Sequence, residues 1–213
     1  MDDDFFKLKH GYVSAIENNG GIPIILAPQK NITELAYKID GLLISGGSDI
    51  IPEYYGESIS VPLECLKFAK KERTDFELAL LKECLKREVP IFAICYGMQL
   101  INVAFGGSIY QDISHTMPNA LEHKNNMHEI KLEPVLGFQA RTATVNSSHH
   151  QALKTVANGF AVFAASEDGI VEGIIKKDYT FMVGAQWHPE RIQDEALSAS
   201  LFRSFINKAQ GIR

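Results

Sequence analysis

The sequence predicts an α/β fold, a three-layer sandwich in which helices flank a mostly parallel central sheet. Two observations support this fold class. In the first half of the 213 residues, apolar runs alternate with amphipathic helical patterns, which is typical of parallel strands joined by helices. In the second half, short strand candidates are separated by turn residues, so some antiparallel pairing is expected. No Pro/Gly/Ser-rich linker divides the chain, and one domain over residues 1–213 is the simplest organisation.

The first half is expected to contain helices and strands in alternation. Gly20-Gly21 ends the first helix, and Pro23 suggests that the following strand begins there or lies at an edge. The predicted elements are a helix over 5–18, a strand over 22–26, a helix beginning at 31, a strand over 41–45, a helix over 64–87 and a strand over 89–94.

The second half is expected to contain short strands followed by one helix. Asp168-Gly169 is the strongest turn signal, because this dipeptide favours tight hairpin turns. An amphipathic pattern near the end of the chain indicates the helix. The predicted strands cover 129–132, 140–145, 160–165, 170–175 and 181–186, and the helix covers 194–208.

Charge gives no reason to expect a nucleic acid as a partner. The formal net charge is -5, and no basic patch carries the interleaved aromatic residues that are typical of nucleic-acid binding. Basic residues do cluster at Lys67, Lys70, Lys71 and Arg73. Acidic residues surround them, and we interpret the cluster as a solvated helix face.

Cysteine usage and hydropathy indicate a cytoplasmic protein. The chain has three cysteines and no C-x-x-C pair, which predicts neither a disulfide framework nor a zinc site and favours a reducing compartment. No apolar run approaches the roughly 20 residues that span a bilayer. The acidic residues at 2–4 also differ from the basic start of a signal peptide. We therefore expect no membrane partner.

Cys95 is the first candidate catalytic residue. It ends the apolar run over 91–94 and precedes Gly97 and a helical stretch, which is the arrangement of a nucleophile elbow. A helix N-terminus favours the thiolate, so an exposed and reactive sulfur is expected. A buried core cysteine is the alternative interpretation of this residue taken alone.

His188 and Glu190 supply a base for the thiol and a carboxylate to orient that base. They follow a predicted strand and lie two residues apart, so in extended geometry they share one face. Another strand ends in the turn Gly46-Gly47, whose amides would meet the amide of Tyr96 at one edge of the sheet and could bind an oxyanion. Together with the cysteine, these residues predict an acyl-transfer site.

The adjacent histidines His149 and His150 raise the question of a metal site. Adjacent residues on a strand point to opposite faces, and no third ligand lies at a convincing spacing along the chain. The sequence therefore predicts no metal site.

Several motifs together resemble the class I glutamine amidotransferase superfamily. Within it, they resemble the γ-glutamyl hydrolase-like branch that includes γ-glutamyl-γ-aminobutyrate hydrolases. The resemblance extends from about Tyr12 to Arg191 and implies a flavodoxin-like fold without a metal or organic cofactor. The motifs are, in order, DGLLISGGSD (40–49), PEYYGE (52–57), IFAICYGMQLINVAFGGSIYQDI (91–113), VNSSHHQ (145–151), DGIVEGI (168–174) and GAQWHPE (184–190).

The resemblance also implies roles for individual residues. Cys95 is the nucleophile, His188 is the general base and then the general acid, and Glu190 orients the histidine. The amides of Gly47 and Tyr96 form the oxyanion hole. The reaction implied is hydrolysis of a γ-glutamyl amide in a small molecule through a glutamyl thioester, which releases glutamate and an amine. The residues expected to hold the substrate are Gly46, Gln99, Ser148, His149 and Gln151.

Two departures from the family pattern keep other functions open. Many members of the hydrolase branch have Arg after the nucleophile, whereas this chain has Tyr96, as in some synthetase-associated glutaminases. The usual first strand is also missing, either because it is absent or because the sequence is truncated. Its loss would favour pairing with a second chain, as in a homodimer, or would lower the stability of the fold. The alternatives are a glutaminase subunit that supplies ammonia to a synthetase partner, and a non-catalytic regulatory protein on the same fold.

Overall fold

The computed structural model describes residues 6–192 and 196–211. None of the helices within these ranges is long and apolar enough to span a membrane. The helices are α1 (His10–Glu17), α2 (Ile32–Lys38), α3 (Lys71–Lys86), α4 (Tyr96–Ala104), α5 (Ile113–Thr116) and α6 (Ala196–Ala209). The strands are β1 (Leu42–Ile44), β2 (Ile91–Ile94), β3 (Ser108–Tyr110), β4 (Asn126–Leu132), β5 (Arg141–Ser147), β6 (Ala152–Thr155), β7 (Phe160–Ser166), β8 (Val171–Lys176) and β9 (Met182–Ala185).

The α/β prediction is confirmed, and the main sheet is a mixed one. Its strand order is β1-β2-β9-β8-β7-β4-β5. β1, β2 and β9 run parallel, and β8, β7, β4 and β5 extend the sheet with antiparallel pairings. The antiparallel share is larger than expected because short turns, such as Asp168-Gly169, join successive strands in this half. β3 and β6 form a separate antiparallel pair, which the sequence did not predict.

Side chains along β2 alternate between two hydrophobic clusters, so both faces of the sheet are covered. Ile91 and Ala93 belong to a cluster that includes residues of α3 and α4. Phe92 and Ile94 belong to a second cluster with residues of α6. The Phe92 ring meets Phe202 of α6 edge to face, with the ring centroids 5.1 Å apart. Burial on both faces explains why this strand appears in the sequence as a continuous apolar run.

The predicted strand over 22–26 is wrong. This segment has no strand pairing, and Ile22 and Ile24 are 90% and 64% exposed. An apolar run becomes a strand only where a neighbour supplies hydrogen bonds, and Pro23 cannot donate one. In the part of the chain that the structure describes, β1 pairs with β2 alone. Residues 22–26 and β1 line a groove of about 720 Å³.

Two helices begin later than predicted. Residues Leu63–Cys65 form a 3₁₀ turn, and α3 begins only at Lys71. The residues between them are extended because the backbone of Asp49 bonds to Lys67 O and Ala69 N at 2.9 and 2.8 Å. The first helix begins at His10, whereas residue 5 lies outside the described residues. The final helix is confirmed from residue 196 onward, while 194 and 195 also lie outside them.

Candidate active site

Cys95 lies where β2 ends and α4 begins. Its backbone has φ 53° and ψ -108°, a strained conformation that costs a non-glycine residue about 1–3 kcal/mol and is frequent at functional sites. Its N–H donates to Ala185 O of β9 at 2.7 Å. Gly97 allows α4 to approach β1, because a Cβ there would clash with the carbonyl oxygen of Ile44. The residue therefore has the sharp strand-to-helix turn of a nucleophile elbow.

The expectation of an exposed sulfur biased toward thiolate is wrong for this structure. Cys95 is 6% exposed, and burial raises the pKa of its thiol to about 12. A hydrogen bond from the Tyr96 N–H at the start of α4 acts in the opposite direction but does not overcome the desolvation. The negative charge of Glu190 also raises the thiol pKa. The thiol is therefore protonated at neutral pH, and attack by sulfur requires a base.

His188 supplies an imidazole at the same edge of the sheet. It follows β9, which runs parallel to β2 with Ile94 opposite Ala185. Its Nδ1 lies 2.8 Å from Glu190 Oε1. A 3₁₀ turn over Pro189–Arg191, rather than the extended geometry that we predicted, brings this carboxylate back to the ring. Because a carboxylate accepts, Nδ1 donates, and Nε2 of the neutral ring remains free to accept a proton.

Burial keeps the His188 imidazole neutral. Desolvation lowers the pKa of His188 below its usual value, and the hydrogen bond and charge of Glu190 partly oppose this effect. Both residues are almost fully buried. A neutral imidazole beside a protonated thiol is the arrangement that general-base catalysis requires.

Asn146 fixes the position of His188 through the backbone. Its Oδ1 accepts the His188 N–H at 2.8 Å, and its Nδ2 donates to the His188 carbonyl oxygen at 2.8 Å. The Tyr12 hydroxyl lies 3.5 Å from the His188 Nδ1. Sequence reasoning did not single out either residue. Asn146 lies within the VNSSHHQ motif, whereas nothing in the local sequence distinguishes Tyr12.

The turn after β1 is held from two sides. Tyr12 accepts the Gly46 N–H at 2.9 Å, and the Arg73 guanidinium of α3 donates to the carbonyl oxygens of Ser45 and Gly46 at 3.0 and 3.3 Å. In a planar trans peptide, the N–H points opposite to the carbonyl. The Gly47 N–H therefore points away from Arg73.

Position 46 has no room for a side chain. A Cβ at this position would lie 2.7 Å from the Tyr12 hydroxyl and 2.8 Å from the His188 Cε1. These distances are shorter than van der Waals contact, so only glycine allows the imidazole to approach this turn. The predicted Gly46-Gly47 turn and the His188–Glu190 pair are thus brought together in the fold.

The side chain of Tyr96 is part of the core rather than of the pocket rim. It is 1% exposed, and its hydroxyl lies 3.0 Å from Thr74 Oγ1 of α3. The Arg73 guanidinium stacks over its ring at 4.4 Å, while Arg73 Nε donates to Glu77 at 2.9 Å. The interpretation of Arg73 as part of a solvated helix face is therefore wrong. It connects α3 to both the elbow and the glycine turn.

The predicted substrate residues Gln99 and Gln151 lie in a buried hydrogen-bond network. Gln99 Nε2 donates to the carbonyl oxygen of Gln151 and to Gln186 Oε1, each at 3.2 Å. Gln186 Nε2 in turn lies 3.5 Å from the Cys95 sulfur. The network therefore reaches the candidate nucleophile. Gln186, which lies within the GAQWHPE motif, was not among the predicted site residues.

The remaining predicted substrate residues, Ser148 and His149, differ in burial, and the next residue along the chain has different partners. Ser148 is partly buried, whereas His149 is buried and donates from Nδ1 to the carbonyl oxygen of Gln151 at 2.9 Å. The adjacent His150 faces another set of partners and bonds to Asp49 and Asp112 at 2.8 and 3.1 Å. The two neighbouring histidines thus belong to different environments.

Comparison with known proteins shows the family of the chain. Residues 2–190 match the Peptidase C26 family. The chain belongs to this family. Its strained cysteine and the His188–Glu190 pair both lie within the matched residues.

Curated relatives cover most of this Peptidase C26 chain. Protein NtpR of Enterococcus hirae is 41% identical, and the alignment covers 93% of this chain and 87% of the relative. γ-Glutamyl-γ-aminobutyrate hydrolase PuuD of Escherichia coli K12 is 34% identical, with 95% and 86% covered. The glutaminase domain of Trypanosoma brucei CTPS, solved with bound acivicin, superposes with a TM-score of 0.64 at 11% identity over 95% of this chain and 88% of that domain. The last similarity concerns the fold alone.

Proposed function

We propose that this protein hydrolyses a γ-glutamyl amide bond in a small molecule and releases glutamate and an amine. One observation carries the proposal: the strained Cys95 at the end of β2 lies beside a strand that continues into the hydrogen-bonded pair His188–Glu190. The motif resemblance supports it, as does the 34% identity to a named γ-glutamyl-γ-aminobutyrate hydrolase.

The first half of the proposed reaction forms a glutamyl thioester. His188 Nε2 takes the thiol proton as the Cys95 sulfur attacks the amide carbon, and the carbonyl electron pair moves onto oxygen. The Gly47 and Tyr96 amides donate to this oxyanion. When the carbonyl re-forms, the C–N bond breaks, and the histidine returns its proton to the departing amine.

The second half returns the enzyme to its starting state. His188 takes a proton from water, whose oxygen attacks the thioester carbon. The C–S bond then breaks, glutamate leaves, and the sulfur regains the proton. Glu190 accepts the Nδ1–H throughout and stabilises the transient imidazolium, so one tautomer serves both halves.

For the substrate, we propose that Gly46, Gln99, Ser148, His149 and Gln151 contribute to the pocket for the γ-glutamyl group. Buried polar side chains beside the nucleophile suit a ligand with a charged amino group and a carboxylate. Three of these five residues, Gln99, His149 and Gln151, have almost fully buried side chains that also bond to protein groups. They therefore act in part by holding the pocket in shape.

A substrate panel tests the proposed reaction. Purified protein is incubated separately with γ-glutamyl-γ-aminobutyrate, γ-glutamyl-putrescine, glutamine and a poly-γ-glutamate, and glutamate release is measured. Cys95→Ala is the control, and circular dichroism verifies its folding. We expect turnover of at least one small γ-glutamyl amide that disappears in the variant. A folded protein that turns over none of the four substrates contradicts the proposal.

The same panel separates the alternatives. Turnover confined to glutamine, especially if a copurifying ATP-using protein stimulates it, would favour a glutaminase subunit with a synthetase partner. A folded protein without turnover would favour a non-catalytic regulatory protein. A homodimer remains a further hypothesis, which light scattering of the purified protein tests directly.

A further inference from the structure

A second polar cluster is buried behind the candidate active site. Three imidazoles and a carboxylate meet there, from the segment before β4, from β4, from the segment after β5 and from β8. None of the four is more than 7% exposed. The Gln186 N–H donates to the Glu172 carbonyl oxygen at 2.8 Å, which joins the cluster to the strand end that carries His188. Its members are His123, His128, His149 and Glu172.

All three imidazoles point at one oxygen atom. Oε1 of Glu172 lies 3.5 Å from His123 Nδ1, 3.2 Å from His128 Nε2 and 3.5 Å from His149 Nε2. Ligand atoms about 2.0–2.1 Å from a tetrahedral zinc ion are separated from one another by roughly 3.3–3.4 Å. The three separations from Glu172 Oε1 are close to this value.

Outer partners fix the tautomers of two rings. His123 Nε2 lies 2.9 Å from the Asp168 carboxylate, and His149 Nδ1 lies 2.9 Å from the carbonyl oxygen of Gln151. Both partners can only accept, so these nitrogens carry the protons. The opposite nitrogens of the neutral rings then present lone pairs to Glu172. An acceptor behind each histidine is also how metal-binding histidines are oriented in proteins.

Several of these nitrogen and oxygen atoms have no hydrogen-bond partner in the described part of the chain. Neither carboxylate oxygen of Glu172 has a hydrogen-bond partner among the described residues. The same is true of His149 Nε2 and of both ring nitrogens of His128. The nearby Ser147 hydroxyl donates its proton to the carbonyl oxygen of His123 at 2.7 Å. A carboxylate that faces three imidazole nitrogens without a hydrogen bond is costly in a buried site, unless a cation lies between them.

We propose that this cluster binds one Zn²⁺ ion. The ligands are His123 Nδ1, His149 Nε2 and Glu172 Oε1, since the ligand atoms of these three residues all lie within 4.8 Å of one another. His128 contacts the same carboxylate oxygen but is not one of the three ligands. The carboxylates of Glu172 and Asp168 balance the two positive charges, and nitrogen and oxygen ligands of this kind suit zinc. These three protein ligands and one water molecule would complete a tetrahedral site. The spacing along the sequence concealed it, because the histidines and the glutamate come from distant segments.

The competing interpretation is a network of protons with no metal. An imidazolium at position 149 would donate to Glu172, and charge-assisted N–H···O bonds of this type are about 2.7–2.9 Å long. The His123 and His149 separations of 3.5 Å are longer than that. They therefore favour a shared ion over direct hydrogen bonds.

The metal content of the whole chain tests the proposal. The protein is produced in zinc-supplemented medium, desalted and measured by inductively coupled plasma mass spectrometry. We expect about one zinc per chain, and at least a tenfold loss in Glu172→Gln and in His123→Gln. His115→Gln is the matched control, because this exposed histidine lies outside the cluster, and it should retain the metal.

Cobalt supplies a readout that needs no variant. Wild-type protein is stripped with a chelator and titrated with Co²⁺, which should give visible absorption bands of a tetrahedral site that saturate at one equivalent. The near-ultraviolet charge-transfer band of a cobalt–thiolate bond should be absent, because no cysteine belongs to the cluster. Stripping should lower the melting temperature, and Zn²⁺ should restore it.

The following results would overturn the zinc site. Wild-type protein could be folded and metal-free after zinc-supplemented growth, with a melting temperature that neither Zn²⁺ nor Co²⁺ changes. Alternatively, zinc could be bound in equal amounts by wild type, Glu172→Gln and His123→Gln. If both variants fail to fold, anomalous diffraction at the zinc edge on wild-type crystals decides whether the ion lies within the cluster. None of these outcomes depends on turnover of a γ-glutamyl substrate.

Discussion

At the scale of single residues, the site depends on side chains that hold other groups in place. His188 is oriented by Glu190 at its ring and by Asn146 at its backbone. The two supports differ in kind, because the carboxylate changes the electrostatics of the ring and the amide changes only its position. They should therefore have different kinetic effects.

Replacing Asn146 should reduce turnover without a shift in pH dependence. Asn146→Ala removes two hydrogen bonds, each worth about 0.5–1.5 kcal/mol. If the lost positioning is felt mainly in the transition state, kcat falls roughly 10- to 100-fold while KM changes little. Steady-state kinetics on the best substrate of the panel measure this effect. Asn158→Ala, at an exposed position, is the control, and a loss confined to KM would contradict the positioning role.

The pH dependence should reveal the buried imidazole. Burial lowers the pKa of His188, so the ring becomes protonated, and inactive as a base, only below its ordinary value of about 6.5. kcat/KM should therefore still exceed half of its plateau value at pH 6.5 and decline at lower pH. A pH–rate profile from 4.5 to 9 with a stable substrate would show this; a midpoint above about 6.5 would contradict it.

Glu190→Gln should move that profile in a defined direction. The carboxylate raises the pKa of His188 against the effect of burial, so its neutralisation lowers this pKa further. The acid limb should shift to lower pH, while kcat falls because the imidazolium loses its stabilising charge. Glu129→Gln, at an exposed position of β4, is the control. A shift to higher pH would exclude the assigned pairing.

At the scale of elements, α3 contributes to a site formed by strand ends. Its Arg73 bonds to the turn after β1 and stacks on the first residue of α4. This single side chain therefore sets the spacing between the two amides proposed to bind the oxyanion.

Arg73→Lys should lower kcat because one ammonium cannot replace a stacked, forked guanidinium. Removing an oxyanion donor outright costs about 10²- to 10³-fold in kcat. Loosening the peptide of Gly47 should cost less, about tenfold, with little change in KM. Lys71→Ala, at an exposed position two residues earlier in the chain, is the control. Equal kinetics for both variants would contradict a positioning role.

A feature could be predicted from the sequence where residues close together in the chain determine it, and could not where residues distant in the chain do. The placement of Cys95, His188 and Glu190 at neighbouring strand ends could be predicted, because a strand, a turn and a short motif specify each position within a few residues. Arg73 and Asn146 act through partners that are remote in sequence, and only the fold reveals them. The segment over 22–26 has strand-like residues but lacks a neighbouring strand in the described structure. The thiol pKa depends on burial, which a linear pattern does not specify.

At the scale of the whole molecule, one strand connects the two main hydrophobic clusters. β2 contributes alternate side chains to both core clusters and ends at Cys95. Loss of packing on either face should therefore reach the candidate site. If residues 1–213 form one domain, as expected, the chain should unfold in one cooperative transition, which unfolding experiments can measure.

Phe202→Ala tests this cooperativity from the face that lies opposite α3. Phe202 is fully buried against Phe92, and such a truncation costs about 3–5 kcal/mol out of a typical total of about 5–15 kcal/mol. Leu63→Ala, 64% exposed, should change stability by less than about 0.5 kcal/mol. Urea unfolding is followed by the fluorescence of Trp187, the single tryptophan, and by far-ultraviolet circular dichroism. Both transitions should shift together, because the tryptophan and the sheet share one core; separate midpoints would mean that the chain contains more than one folding unit.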